Sequence, residues 1–157
     1  MIRALLLSLL LVAPGSALAQ GRPNAPQSGQ QRPAAGRVSI QVMVVHATDS
    51  ENGIDPRLRS LESSFRYFKY KGYRLLSTQT ADVGVDDTEA FQIEGDRRLK
   101  VTLMSRDDSR ARVRVEMSNK DGKLLDTTVS INRDGTFIVA GPKYRDGILM
   151  LPLRASY

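Results

Sequence analysis

The sequence predicts a mostly β, α+β domain: an antiparallel meander or sandwich of about seven to eight strands with one amphipathic helix packed on it. Three observations carry this. From Arg97 to the end, apolar and polar residues alternate with a period of two. One stretch only, Leu58 to Phe68, has helical spacing. Asp-Gly corners recur between the alternating runs, at Asp121-Gly122, Asp134-Gly135 and Asp146-Gly147.

The chain opens MIRALLLSLLLVAPGSALAQ. Arg3 supplies a positive start, Ala4 to Ala13 is a Leu-dominated run, and Ala17-Leu18-Ala19 is a small-x-small cleavage pattern. Residues 1–19 therefore read as a secretory signal peptide, too short and too interrupted by Pro14-Gly15 to span a membrane. Residues 20–37 are rich in Gly, Pro and Gln and hold no large apolar side chain, so a disordered tether is expected. Residues 38–157 then form a single domain.

Absent residues narrow the class. With no Cys, neither disulfides nor a lipidated-Cys anchor is available. No Asn-x-Ser/Thr acceptor occurs. An exported bacterial protein, periplasmic or secreted and in contact with the cell envelope, fits these facts. Of the formal charge of +6, Arg3 carries one and the tether three, which leaves +2 for the domain. The basic balance thus belongs largely to the tail, and a nucleic-acid partner is not expected.

Val38 to Ala47 is apolar at 38, 40, 42 and 44, with Met43 and Val45 on the other face, as in a central strand buried on both sides near its end. Asp55 is an N-cap followed by Pro56, and Leu58, Leu61, Phe65 and Phe68 share one face of a helix over 56–71 that Gly72 ends. Two strands follow, YRLLSTQTADV and TEAFQI, around an acidic hairpin tip from Asp82 to Glu89. Five strands then form a meander, roughly 97–105, 110–119, 123–132, 136–143 and 148–156. Since a one-residue slip would turn a whole apolar set into water, like faces must meet. This pairs Leu103 with Val113, Val101 with Val115, Met117 with Leu125, Ile131 with Phe137, and Val139 with Leu153. The same register leaves Lys120-Asp121-Gly122, Arg133-Asp134-Gly135 and Arg145-Asp146-Gly147 as three-residue hairpin loops ending in a left-handed Gly. Hairpin corners explain these motifs without calcium, which would need several carboxylates converging in a continuous loop.

Catalysis is hard to assemble from this composition. There is no Cys, and the single His, His46, ends an apolar strand where a satisfied structural role is expected. The acidic group Asp82, Asp86, Asp87 and Glu89 reads as a solvated loop, with a weak calcium site as the sharper alternative. No phosphate cradle, nucleophile elbow or zinc spacing occurs. The expectation is a non-enzyme with no cofactor and no metal.

Binding has two candidate surfaces. Arg98 and Lys100 on one strand and Arg110, Arg112 and Arg114 on the next make a basic stripe on the wet face of the sheet. Such a stripe suits an anionic glycan or lipid head group, although Glu116 and Asp126 are placed to neutralise part of it. The segment FRYFKYKGY adds Tyr67, Tyr70 and Tyr73, aromatics interleaved with cations and suited to a protein partner.

The closing stretch DGILMLPLRASY alternates apolar residues and has Tyr157 last. It resembles the terminal strand of bacterial outer-membrane barrels, and that resemblance implies a small β-barrel. Pro152, the helix and the lack of aromatic girdles fit it poorly. The favoured expectation is an exported, non-catalytic interaction or structural domain, an accessory component of a bacterial cell-envelope assembly with envelope protein partners. A binding module for an anionic envelope polymer or lipid head group is the alternative.

Overall fold

The computed structural model describes residues 36–157. The segment read as a signal peptide (1–19) and nearly all of the expected tether (20–37) lie outside the described residues. The elements in chain order are β1 (Arg37–Thr48), β2 (Gly53–Ile54), a 3-10 segment (Pro56–Leu61) running into α1 (Glu62–Phe65), β3 (Gly72–Gly84), β4 (Thr88–Ile93), β5 (Arg97–Arg106), β6 (Arg110–Asn119), β7 (Gly122–Asn132), β8 (Thr136–Tyr144) and β9 (Gly147–Ser156). The strands form two sheets, of order β2-β3-β1-β9-β8 and β4-β5-β6-β7. The domain is mostly β with one short helical segment, as the alternation predicts.

The main core lies between the sheets. Val38, Ile40, Val42 and Val44 of β1 and Leu149, Leu151 and Leu153 of β9 face Leu99, Val101 and Leu103 of β5 and Val113, Val115 and Met117 of β6, all fully buried. Each such side chain contributes on the order of 1.5–3 kcal/mol. A second core covers the far side of the five-stranded sheet. There Leu58, Leu61 and Phe65 pack on Val45, Ala47, Tyr73 and Met150. This explains why β1 alternates at first and is continuously buried from Val44 to Thr48. Its first half has one covered face and its second half has two.

The helix is shorter than its apolar spacing suggests. Asp55 does cap it, accepting from the Arg57 N–H at 3.0 Å, and Pro56 is the first helical residue. The first six residues wind as a 3-10 segment, however, and α1 stops at Phe65. A spacing of three between Leu58 and Leu61 suits 3-10 geometry, and Ser60, Ser63 and Ser64 are indifferent α-helix formers. Tertiary contacts finish the segment. The Tyr73 hydroxyl lies 3.2 Å from the Phe65 carbonyl and 3.3 Å from that of Phe68, taking over terminal acceptors. The Phe65 and Tyr73 rings stack with centroids 4.4 Å apart.

The expected strand register holds within the four-stranded sheet, breaks between the sheets and is shifted by two in the last hairpin. Leu103 meets Val113, Val101 meets Val115, Leu99 meets Met117 and Lys100 meets Glu116, with an unforeseen bulge at Met104. Met117 with Leu125 and Val113 with Val129 also stand as expected. The continuous five-strand meander does not form. β7 pairs with β6 and β8 pairs with β9, so Ile131 and Phe137 are not partners and residues 133–135 carry the chain from one sheet to the other. The acidic loop is likewise a crossover, since β3 and β4 lie in different sheets. Asp86 and Asp87 there bond through their backbones to Leu103 of β5. In the last hairpin Val139 faces Leu151, two residues from the expected Leu153. A shift of two preserves every face, so alternation could not detect it.

The three Asp-Gly corners differ physically. Gly122 has φ +134 with open space around it. At the next two corners the left-handed residue is Asp134 (φ 56) and Arg145 (φ 52), not the glycine. Asn119 pairs with Gly122 and Tyr144 with Gly147, so these two hairpins have two-residue rather than three-residue turns. Gly147 is required for a different reason. A Cβ there would overlap the carbonyl oxygen of Ala47 on β1.

Candidate functional site

The basic surface is the outer face of the four-stranded sheet. Leu99, Val101, Val113 and Val115 turn inward and are fully buried, so Arg98, Lys100, Arg112 and Arg114 turn outward by simple alternation. Arg110 joins them at the start of β6 and Lys123 at the start of β7. The structure does not leave these groups equivalent. Arg114 makes a two-pronged contact with Asp126, its Nε donating at 2.9 Å and a terminal nitrogen at 2.8 Å. Lys123 reaches Asp126 at 2.7 Å and Glu116 at 3.2 Å. The Asp126 carboxyl is held well below the usual range, first by the hydrogen bond from Arg114 and then by that from Lys123. Arg114 and Lys123 are raised in return.

Arg114, a candidate binding residue in the sequence, is therefore occupied in an internal network across β6 and β7. The stripe divides into two basic ends. Arg98 and Lys100 stand at one, opposite Ser118 and Glu116. Arg112 and Arg110 stand at the other, opposite Ser130 and Asn132. Among the described residues, none of Arg98, Lys100, Arg110 and Arg112 has an acidic partner within 4.0 Å. The nearby Asp107 carboxylate turns back on its own loop, accepting from the Ser109 and Arg110 N–H groups at 2.7 and 2.8 Å.

Charge on this face is concentrated. It holds six cations (Arg98, Lys100, Arg110, Arg112, Arg114, Lys123) against Glu116 and Asp126, a net +4. Of the chain's 23 Lys and Arg, three (Arg3, Arg22, Arg32) precede residue 36; the rest face 17 Asp and Glu, so residues 36–157 sum to +3. The remainder of the domain is thus slightly acidic. Thr88, Thr102, Thr128 and Ser130 share this face, and Arg98, Lys100, Arg110 and Arg112 are exposed on it.

The aromatic surface is elsewhere. The helical segment lies on the outer face of the five-stranded sheet, so Tyr67 and Tyr70 sit on the opposite side of the sandwich from the arginines. Tyr67 is 89% exposed. Tyr70 is half-buried, and Tyr73 is withdrawn into the second core, contrary to the exposure its position suggests. A shallow cleft of about 480 Å³ opens here, lined by Ile54, Phe65, Phe68 and Tyr70 and rimmed by Arg59, Arg66, Lys71 and Glu62. Sequence reading singled out FRYFKYKGY but had no means of placing Arg59 or Ile54 beside it. Ile54 lies on the short β2 strand, which has no periodic signal, and Arg59 on the 3-10 segment.

His46 is buried at the end of β1. Its Nε2 lies 3.3 Å from Asp146 Oδ1 without hydrogen-bond alignment, and its ring meets Tyr144 edge-on at 5.5 Å. The Thr48 hydroxyl donates to Asp146 Oδ2 at 2.7 Å. Hydrogen bonds from Ser50 and Thr48 lower the Asp146 carboxyl to about 2. Both hydroxyls meet the carboxylate rather than the imidazole, so the group ties β1 to the β8–β9 corner. Among the described residues no three His, Asp or Glu side chains converge as a metal site would require.

The terminal stretch that resembles a barrel strand forms β9, which lies between β1 and β8 inside a five-stranded sheet. The described strands make two open sheets over a filled core rather than a closed ring. No protein-family model matches the chain, and no curated protein or solved structure matches it.

Proposed function

We propose that the chain is an exported, non-catalytic interaction domain of a bacterial cell envelope, and that it works by laying the outer face of its four-stranded sheet on a phosphate-bearing envelope polymer or lipid head group. One observation carries the reading: this face bears a net +4 on a domain of +3, and four of its cations have no acidic partner among the described residues. Exposed cations clustered on one sheet face attract extended anions with little desolvation cost, and they raise the rate of encounter. The signal-peptide pattern of residues 1–19 and the polar tether of residues 20–37 support delivery to a compartment where such anions occur. The absence of Cys, and the use of His46 to hold a corner, support a role without chemistry.

The test is co-sedimentation with vesicles containing an anionic phospholipid and, separately, binding to a soluble phosphorylated polysaccharide. Binding in either arm should fall steeply from about 50 to 300 mM salt, as screening shortens the range of exposed charges. A variant with Arg98, Lys100, Arg110 and Arg112 each changed to Glu should lose it. Salt-insensitive binding, or binding retained by that variant, refutes the proposal. The two arms decide between head group and polymer.

A further inference from the structure

We infer that the cleft beside the helical segment is a docking site for an extended acidic peptide of a partner protein, one that inserts an apolar side chain and adds its backbone beside β2. This surface is independent of the basic sheet face. Three observations converge on that occupant.

The floor is apolar and only partly covered by the protein itself. Ile54, Phe68 and Tyr70 are each half-buried, while Phe65 beneath them is 1% exposed and stacked on Tyr73. A volume of about 480 Å³ accepts one or two large side chains. Aromatic side chains that are anchored below and open above suit the buried anchors on which interfaces depend.

The rim selects for negative charge. Arg59, Arg66 and Lys71 surround the opening against the single acid Glu62. None of these three cations has an acidic partner within 4.0 Å among the described residues, whereas neighbouring Arg57 and Arg74 are held by Asp55 at 2.7 Å and Glu51 at 2.6 Å. Three cations without an acidic partner thus border the cleft. Tyr67, the next residue after Arg66, is 89% exposed.

The edge supplies backbone partners. β2 is the edge of the five-stranded sheet and runs parallel to β3. The Gly53 N–H donates to the Lys71 carbonyl and the Asp55 N–H to the Tyr73 carbonyl, both at 2.9 Å. Alternation along a strand then turns the N–H and carbonyl of Ile54 the other way, outward at the cleft. A peptide strand added there would gain main-chain bonds while its alternate side chains enter the aromatic floor and meet the basic rim.

The test uses the full chain as bait for a displayed library of random peptides. Enriched sequences should carry acidic residues next to an aromatic or branched aliphatic one. Their synthetic versions should lose affinity on the order of tenfold in Arg66→Glu, an exposed site where folding is not at risk. Phe68→Ala, checked for folding by its melting curve, should lose a similar amount. Arg112→Glu, on the opposite sheet face, should leave peptide binding unchanged, so this result and the fate of the proposed function are separable. No enrichment overturns the inference, as does enrichment without acidic residues or binding that survives both Arg66→Glu and Lys71→Glu.

Discussion

Replacing Gly147 by Ala should destabilise the domain far more than an ordinary surface substitution. Gly147 opens β9 and pairs with Thr48 of β1. Its φ lies outside the left-handed region, so backbone preference is not the obstacle. A Cβ at this position would overlap the Ala47 carbonyl oxygen, lie 2.9 Å from the carbonyl carbon and stand 3.1 Å from His46 Nε2. Ordinary carbon contacts are about 3.5–4.0 Å, and a carbonyl in a central strand has no rotamer by which to retreat. The β8–β9 corner must therefore move off β1, and the Thr48–Asp146 hydrogen bond at 2.7 Å is the first contact to strain. Overpacking of this kind costs about 3 kcal/mol, the upper part of its usual range, because a backbone atom must yield. For a domain of this size that is a fall in melting temperature of roughly 10–15 °C. Thermal unfolding followed by circular dichroism reads it, with Gly147→Val as a second point. Steric conflict grows with side-chain size, so Val must melt lower than Ala. If Ala melts within about 3 °C of the parent, or if Ala and Val melt together, the close approach of β9 to β1 is not what requires glycine.

Three further outcomes are expected. Asp146 has its carboxyl lowered from 3.8 to about 2, so its contribution is present above about pH 4 and is lost as pH falls toward 2; melting against pH should show this step, and Asp146→Asn should flatten it. Arg114→Ala should lower the melting temperature by breaking the network with Asp126 and Glu116, while Arg112→Ala should leave it unchanged and weaken only anion binding; equal effects on stability would contradict the division of the basic face. Tyr73→Phe should cost about 1 kcal/mol, since the carbonyls of Phe65 and Phe68 lose their shared donor while the ring stack is kept; a chemical denaturation midpoint with no shift would show that water replaces the hydroxyl.

Much of the candidate surface was legible before the structure. Arg98, Lys100, Arg110 and Arg112 are outward because Leu99, Val101 and Val113 are inward, and a strand alternates strictly. What alternation could not show is that Arg114 is already engaged, because Asp126 reaches it from β7 with a geometry set by side chains rather than by register. The cleft was half legible. FRYFKYKGY announces aromatics among cations, but whether Tyr70 or Tyr73 stays at the surface depends on what covers them.

The residues by themselves determine which way each side chain faces, where the chain turns, and that β1 is central and doubly covered at its end. These follow from local rules: period two in strands, Asp-Gly and Pro in corners, and an apolar run where both faces are dry. Tertiary structure decides which strand each one pairs with and how long the helical segment runs. β7 and β8 carry the same alternation and the same Asp-Gly connection whether they form a hairpin or pass from sheet to sheet. The Val139 register can slip by two without exposing anything. At the end of α1 the Phe65 carbonyl meets the Tyr73 hydroxyl, which belongs to another element. Faces are a property of the chain's own geometry, whereas partners are chosen by the energy of packing one element on another.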